Sequence, residues 1–192
     1  MRAEPSEFEG LDLRCHALLA EVPLHDVWAI PLTGGGPDRT MQDVLAVSPF
    51  RRSEGQNPAV RGLFALRRGL GRLFRWDRED PRSSSESYVH RLTDEDRVRS
   101  EVAPGTREGA FSLLYLFPAE VLLEARNATV HGFLAMALVP RPGGYLVYLV
   151  VYVKPVGRIT GVYMGLIDPF RRLIVYPGLT RRLQADWSQA YG

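Results

Sequence analysis

The chain has one cysteine, Cys15, and one lysine, Lys154, among its 24 basic residues. A lone cysteine excludes an intrachain disulfide and a thiolate metal site. The lysine deficit leaves arginine as nearly the sole cation, a bias that fits a GC-rich genome and suits bidentate carboxylate pairs. Long apolar runs are also missing. The most apolar stretch, Tyr145–Val153, is nine residues between Gly143-Gly144 and Pro155, far short of the ~20 that span a bilayer. The acidic opening MRAEPSEFEGLDL has no apolar core of a secretory leader, so a soluble, cytoplasmic protein is expected. A net charge of +2 is too small to point to nucleic acid.

Catalytic signatures are missing as well. His16, His25, His90 and His131 are scattered, without H-x-x-x-H spacing or a carboxylate cluster. There is no G-x-S-x-G elbow. Gly34-Gly35-Gly36 lacks the lysine and spacing of a phosphate loop and reads as a flexible turn. No cofactor is expected.

What is present is an ordinary globular composition, 45% apolar and 24% charged over 192 residues, most simply one domain. Residues 1–20 read as a partly ordered N-terminal arm. Val27–Leu32 reads as a strand. Met41–Phe50 reads as a short helix with Thr40 as cap and Asp43 at the third position. Asn57-Pro58 opens a second helix to about Trp76. Residues 51–82 hold nine arginines against Glu54, Asp77, Glu79 and Asp80. A solvated basic face is the plain reading of helix 58–76, and contact with an anionic membrane surface is its rival. Residues 77–87 read as an exposed loop.

From Tyr88 the period changes to two. Tyr88–Leu92, Arg97–Val102, Ala110–Phe117, Ala119–Arg126, Ala128–Leu138 and Tyr145–Val153 are candidate strands, with short links that imply an antiparallel meander. The last of these is apolar at odd and even positions alike, so both sheet faces need cover. One face would take the C-terminal helix. The other needs a partner subunit, another part of the chain, or the curvature of a half-barrel.

That helix is announced by apolar residues at Ile159, Val162, Tyr163, Leu166, Ile167, Phe170, Leu173, Ile174, Leu179, Leu183 and Trp187. From Thr160 to Trp187 it would run about 40 Å, with Pro169 and Pro177 kinking or breaking it.

The segments NATVHGFLAMAL (127–138), VYVKPVGRIT (151–160) and YMGLIDPFRRLIVYPGL (163–179) resemble an uncharacterised bacterial branch of the START and polyketide-cyclase-like helix-grip (SRPBCC) superfamily. The resemblance covers roughly residues 20–187. It implies an α+β fold in which a curved antiparallel sheet wraps a long C-terminal helix around an apolar cavity, with two shorter helices after the first strand. Some members are joined to nucleotide-binding reductase-like domains. The branch carries no activity to transfer.

The leading expectation is a non-enzymatic protein that binds an apolar or lipid-like small molecule between sheet and C-terminal helix. The residues expected to line the site are His131, Tyr115, Tyr148, Tyr152, Tyr163, Phe170 and Arg171. The alternative is a cyclase or hydratase with His131 and tyrosine hydroxyls as acid and base, which requires His131 in that cavity. A third reading is a homodimer or reductase-docking module using the outer sheet face. His131 also reads plainly as a hydrogen-bonded core residue, the tyrosines as packing, and Glu124 with Arg126 as an exposed ion pair. Asp168, Arg171 and Arg172 form either a helix restart with ion pairs or an anion site.

Overall fold

The computed structural model describes residues 1–48, 86–108, 111–126, 131–155 and 176–192. The expected helix over 58–76, the loop over 77–85, Tyr163, Pro169, Phe170, Arg171 and Arg172 lie outside the described residues. The architecture is α+β, a curved six-stranded antiparallel sheet in the order β1-β6-β5-β4-β3-β2 with a C-terminal helix. The strands are β1 (Leu24–Thr33), β2 (Arg107–Glu108), β3 (Phe111–Leu116), β4 (Glu120–Arg126), β5 (His131–Arg141) and β6 (Gly144–Lys154). Strands β2 to β6 form the expected meander, and β1 pairs with the last strand.

Among the described residues five α-helices accompany them: α1 (Pro5–Glu9), α2 (Arg14–Leu18), α3 (Met41–Val47), α4 (Asp94–Arg99) and α5 (Tyr176–Tyr191). Helix α3 starts where expected, because the Asp43 carboxylate accepts the Thr40 N–H at 2.9 Å. Helix α5 buries Tyr176, Leu179, Leu183 and Trp187, one stripe at spacings of three and four. Pro177 stands in the first turn of its described residues. No described helix is long and apolar enough to cross a membrane.

Two expected strands form other structures. Tyr88–Arg91 is a 3-10 turn, and Asp94–Arg99 is helix α4. The reason is local. Thr93 Oγ1 accepts the Asp96 N–H at 3.1 Å, and Asp96 Oδ2 accepts the Thr93 N–H at 2.9 Å. This reciprocal capping starts a helix at the TDED sequence that reads otherwise as a mere connection.

Period-2 alternation sorts the sheet into two faces. One carries Ile30, Leu32, Val121, Leu123, Leu134, Met136, Leu138, Val147 and Leu149, under α3 and α5. The other carries Val27, Ala29, Leu122, Phe133, Ala135, Ala137, Tyr148, Val150 and Tyr152. Of the three covers open to this second face, the one found is another part of the same chain. Phe8, Cys15, Leu18, Leu19 and Val22 of the N-terminal arm, with Tyr88 and Leu92, pack on it. A bulge in β3 between Leu113 and Tyr115 breaks the alternation and places Leu114 and Tyr115 together on this face.

Candidate functional site

Among the described residues the layer between sheet and α5 is mainly apolar, with buried polar atoms in a few places. Trp28 stands on β1 beside Tyr176, ring centroids 4.7 Å apart. Trp187, with no exposed surface, packs against Tyr145 and Tyr191 at 5.8 and 4.8 Å. Among the described residues neither indole N–H, Trp28 Nε1 or Trp187 Nε1, finds an acceptor. A buried donor without a partner costs about 1–3 kcal/mol, so each marks a place where an acceptor would be stabilising. Asp26 is buried at the start of β1 on the same side as Trp28.

The far end of this layer is closed by the glycine turn. Gly35 N donates to Tyr191 O at 3.0 Å, and Arg39 Nε donates to Gly35 O at 2.7 Å. Tyr145 Oη donates to Gly36 O at 2.8 Å. A Cβ on Gly35 would lie 2.6 Å from the Trp187 ring, and its φ is +99°. The turn read as flexible is a fitted clamp on the end of α5, and only glycine fits at its centre.

The second face is organised differently, by two buried carboxylates on β4. Glu120 accepts the Arg14 N–H at 2.7 Å, the Cys15 N–H at 3.4 Å and the Tyr115 hydroxyl at 3.0 Å. A sheet carboxylate thus caps the first turn of α2 from outside the helix. Glu124 accepts from Ser87 Oγ at 2.6 Å, Tyr88 N–H at 2.9 Å and His131 Nε2 at 2.7 Å. Burial pushes the Glu124 carboxyl up, but hydrogen bonds from His131, Ser87 and Tyr88 outweigh it and hold it below its ordinary value. An ionised carboxylate only accepts, so His131 carries its proton on Nε2. Arg14 clamps Asp96 through Nε at 2.8 and 3.1 Å and through the guanidinium terminus at 2.8 Å. This ties α2 to α4.

His131, Tyr115, Tyr148 and Tyr152 are all buried, and all four lie on this second face, away from α5. They were expected to line a cavity against the C-terminal helix; strand parity in β5 and β6, and the bulge in β3 for Tyr115, place them on the opposite side. Tyr148 Oη donates to Glu7 Oε2 at 3.2 Å. Burial pushes the Tyr115 and Tyr152 phenols up. The expected exposed pair is corrected too: Glu124 is 1% exposed, with Arg126 Nε 3.4 Å from its Oε2.

The residues missed were Trp28 and Trp187 as unsatisfied donors, and Glu120 and Glu124 as buried anchors. A signal existed for the second face. Phe8, Leu11, Cys15, Leu18, Leu19 and Val22 recur at helical spacing within an acidic stretch. Among the described residues no group of three His, Cys, Asp or Glu is arranged to hold a metal.

A family model described as "Protein of unknown function (DUF2867)" matches residues 18–178, from α2 into the start of α5. Neither curated proteins nor solved structures gave a match.

Proposed function

Since the chain belongs to the DUF2867 family, a membership that carries no activity with it, we propose from its own geometry that it binds an apolar, lipid-like small molecule between the sheet and α5. The observation that carries this reading is the pair of indole donors, Trp28 Nε1 and Trp187 Nε1, unmatched among the described residues in a mainly apolar layer. Ligand sites typically combine apolar walls with a few convergent polar groups. A carbonyl or ether oxygen on the ligand would satisfy one of these donors. The resemblance to START-like helix-grip proteins supports the same location. Tyr163, Phe170 and Arg171, which precede α5 in the chain, stay in the proposal as wall residues. His131, Tyr115, Tyr148 and Tyr152 leave it.

The cyclase or hydratase alternative loses its motivation in that form, because His131 is on the wrong face and already committed to Glu124. A homodimer through the outer sheet face loses its motivation too, because α1, α2 and the Tyr88 turn cover that face.

The test is native mass spectrometry of the purified protein, followed by tryptophan-fluorescence titration with long-chain fatty acids and aromatic polyketides. A co-purifying apolar ligand, and saturable quenching weakened about tenfold or more in Trp187→Phe, are expected from loss of one desolvated hydrogen bond. No bound molecule and no saturable response across the panel would reject the reading.

A further inference from the structure

A separate constellation lies at the end of β6, on the side away from α5. Lys154, the one lysine in the chain, is paired in register with His131. Its Nζ donates to Tyr88 Oη at 3.2 Å, and that hydroxyl donates to Glu21 Oε1 at 2.9 Å. Arg91 pairs with the same oxygen. The Arg91 guanidinium lies over the Tyr88 ring, 3.9 Å from its centroid, with Lys154 Nζ at 5.2 Å.

The donors and the acceptor are held very differently. The Tyr88 ring is 2% exposed and fixed against Phe133 and His131, with centroids 4.7 and 5.3 Å away. Its backbone N–H is tied to buried Glu124. Arg91 is preorganised by stacking on that ring. Glu21, by contrast, has a side chain 56% exposed, in the turn between α2 and β1. Ordering an exposed, rotamer-rich carboxylate gains little net free energy. A phenol and a guanidinium converging on one oxygen, with an ammonium behind the phenol oxygen, have the chemistry of carboxylate recognition. Among the described residues Arg91 and Lys154 are two cations around the one exposed carboxylate of Glu21.

We propose that Tyr88, Arg91 and Lys154 form a recognition site for the carboxylate of a small organic acid, with the Glu21 side chain as a displaceable occupant supplied by the chain itself. The Tyr88 and Arg91 contacts hold the Glu21 carboxyl below its ordinary range, which is how an ionised ligand carboxylate would be held. Lysine fits at 154 because a compact ammonium reaches the phenol oxygen beside an arginine that already occupies the ring face.

Calorimetric titration with succinate of wild type, Glu21→Gln and Glu21→Gln/Arg91→Gln tests this. Glu21 and Arg91 are exposed, so these changes leave the fold intact. Removing the internal competitor should tighten succinate binding about tenfold, and removing Arg91 as well should abolish that gain. Equal affinity in wild type and Glu21→Gln, or a gain that survives Arg91→Gln, would mean an adventitious ion only and overturn the proposal. A parallel titration with inorganic phosphate fixes the class: phosphate binding tighter than succinate in Glu21→Gln also overturns it.

Discussion

The two faces of the sheet are covered by the same chain with different physics. Toward α5 the contact is apolar side chain on apolar side chain, and its polar atoms include two indole donors with no acceptor among the described residues. Toward the N-terminal arm the apolar contact is pinned by Glu120 and Glu124, each collecting two hydrogen bonds from a covering segment and one from a neighbouring strand. Hydrophobic burial is non-directional and tolerates an exchange of contents. A buried carboxylate with every donor placed fixes one register and one tautomer. The difference explains why the ligand proposal sits on the first face and rigid anchoring on the second.

The comparison breaks most readily at Glu124. Replacement by alanine leaves the Ser87 hydroxyl, the Tyr88 N–H and the His131 ring without their acceptor. Removal of one partner from a buried charged network costs about 3–5 kcal/mol, to be read from urea denaturation. A loss below about 1 kcal/mol would mean that the second face is held by apolar contact alone.

Gly35→Ala probes the first face. The new Cβ meets the Trp187 ring at 2.6 Å from a positive-φ backbone. About 1–3 kcal/mol of overpacking is expected, with a change in tryptophan emission as the end of α5 shifts. Unchanged emission and stability would show that the turn is not a clamp.

Acid should act on the second face first. Glu124 and Asp96 are both held below their ordinary values, against the upward push of burial, by His131, Ser87 and Tyr88 in one case and by Arg14 and Thr93 in the other. A group with a lowered folded pKa contributes stability that is complete above its ordinary value, 4.5 for Glu124, and is lost as pH falls through the folded value. Denaturation at pH 6 and below should therefore show stability falling as the medium becomes more acid than about 4.5, with a flatter acid limb in Glu124→Gln. The smallest effect on stability is expected from Trp187→Phe. This change keeps the aromatic packing and removes the unsatisfied donor, so stability by denaturation should change by less than about 1.5 kcal/mol while ligand binding falls.

The fold class was legible because it is written in periodicity. Strands β3 to β6, the Thr40-capped helix and the stripe through Leu179, Leu183 and Trp187 follow from patterns of two and 3.6. The turn at Tyr88 and helix α4 were misread because the apolar residues of YVHRL and RVRSEV mimic alternation, while the decisive information was the reciprocal bond between Thr93 and Asp96. The site was much less legible. An acid in a strand reads as exposed, and nothing local to Glu124 announces that Ser87, Tyr88 and His131 will converge on it.

The sequence alone therefore determined that a two-sided apolar antiparallel sheet would need cover on both faces, because alternation and amphipathic stripes are local properties of the chain. Tertiary structure alone decided which segment covers which face, and so that His131 faces the N-terminal arm while Trp28 and Trp187 face α5. Side-chain parity fixes which residues share a face, but which face meets which helix depends on contacts between residues far apart in the chain.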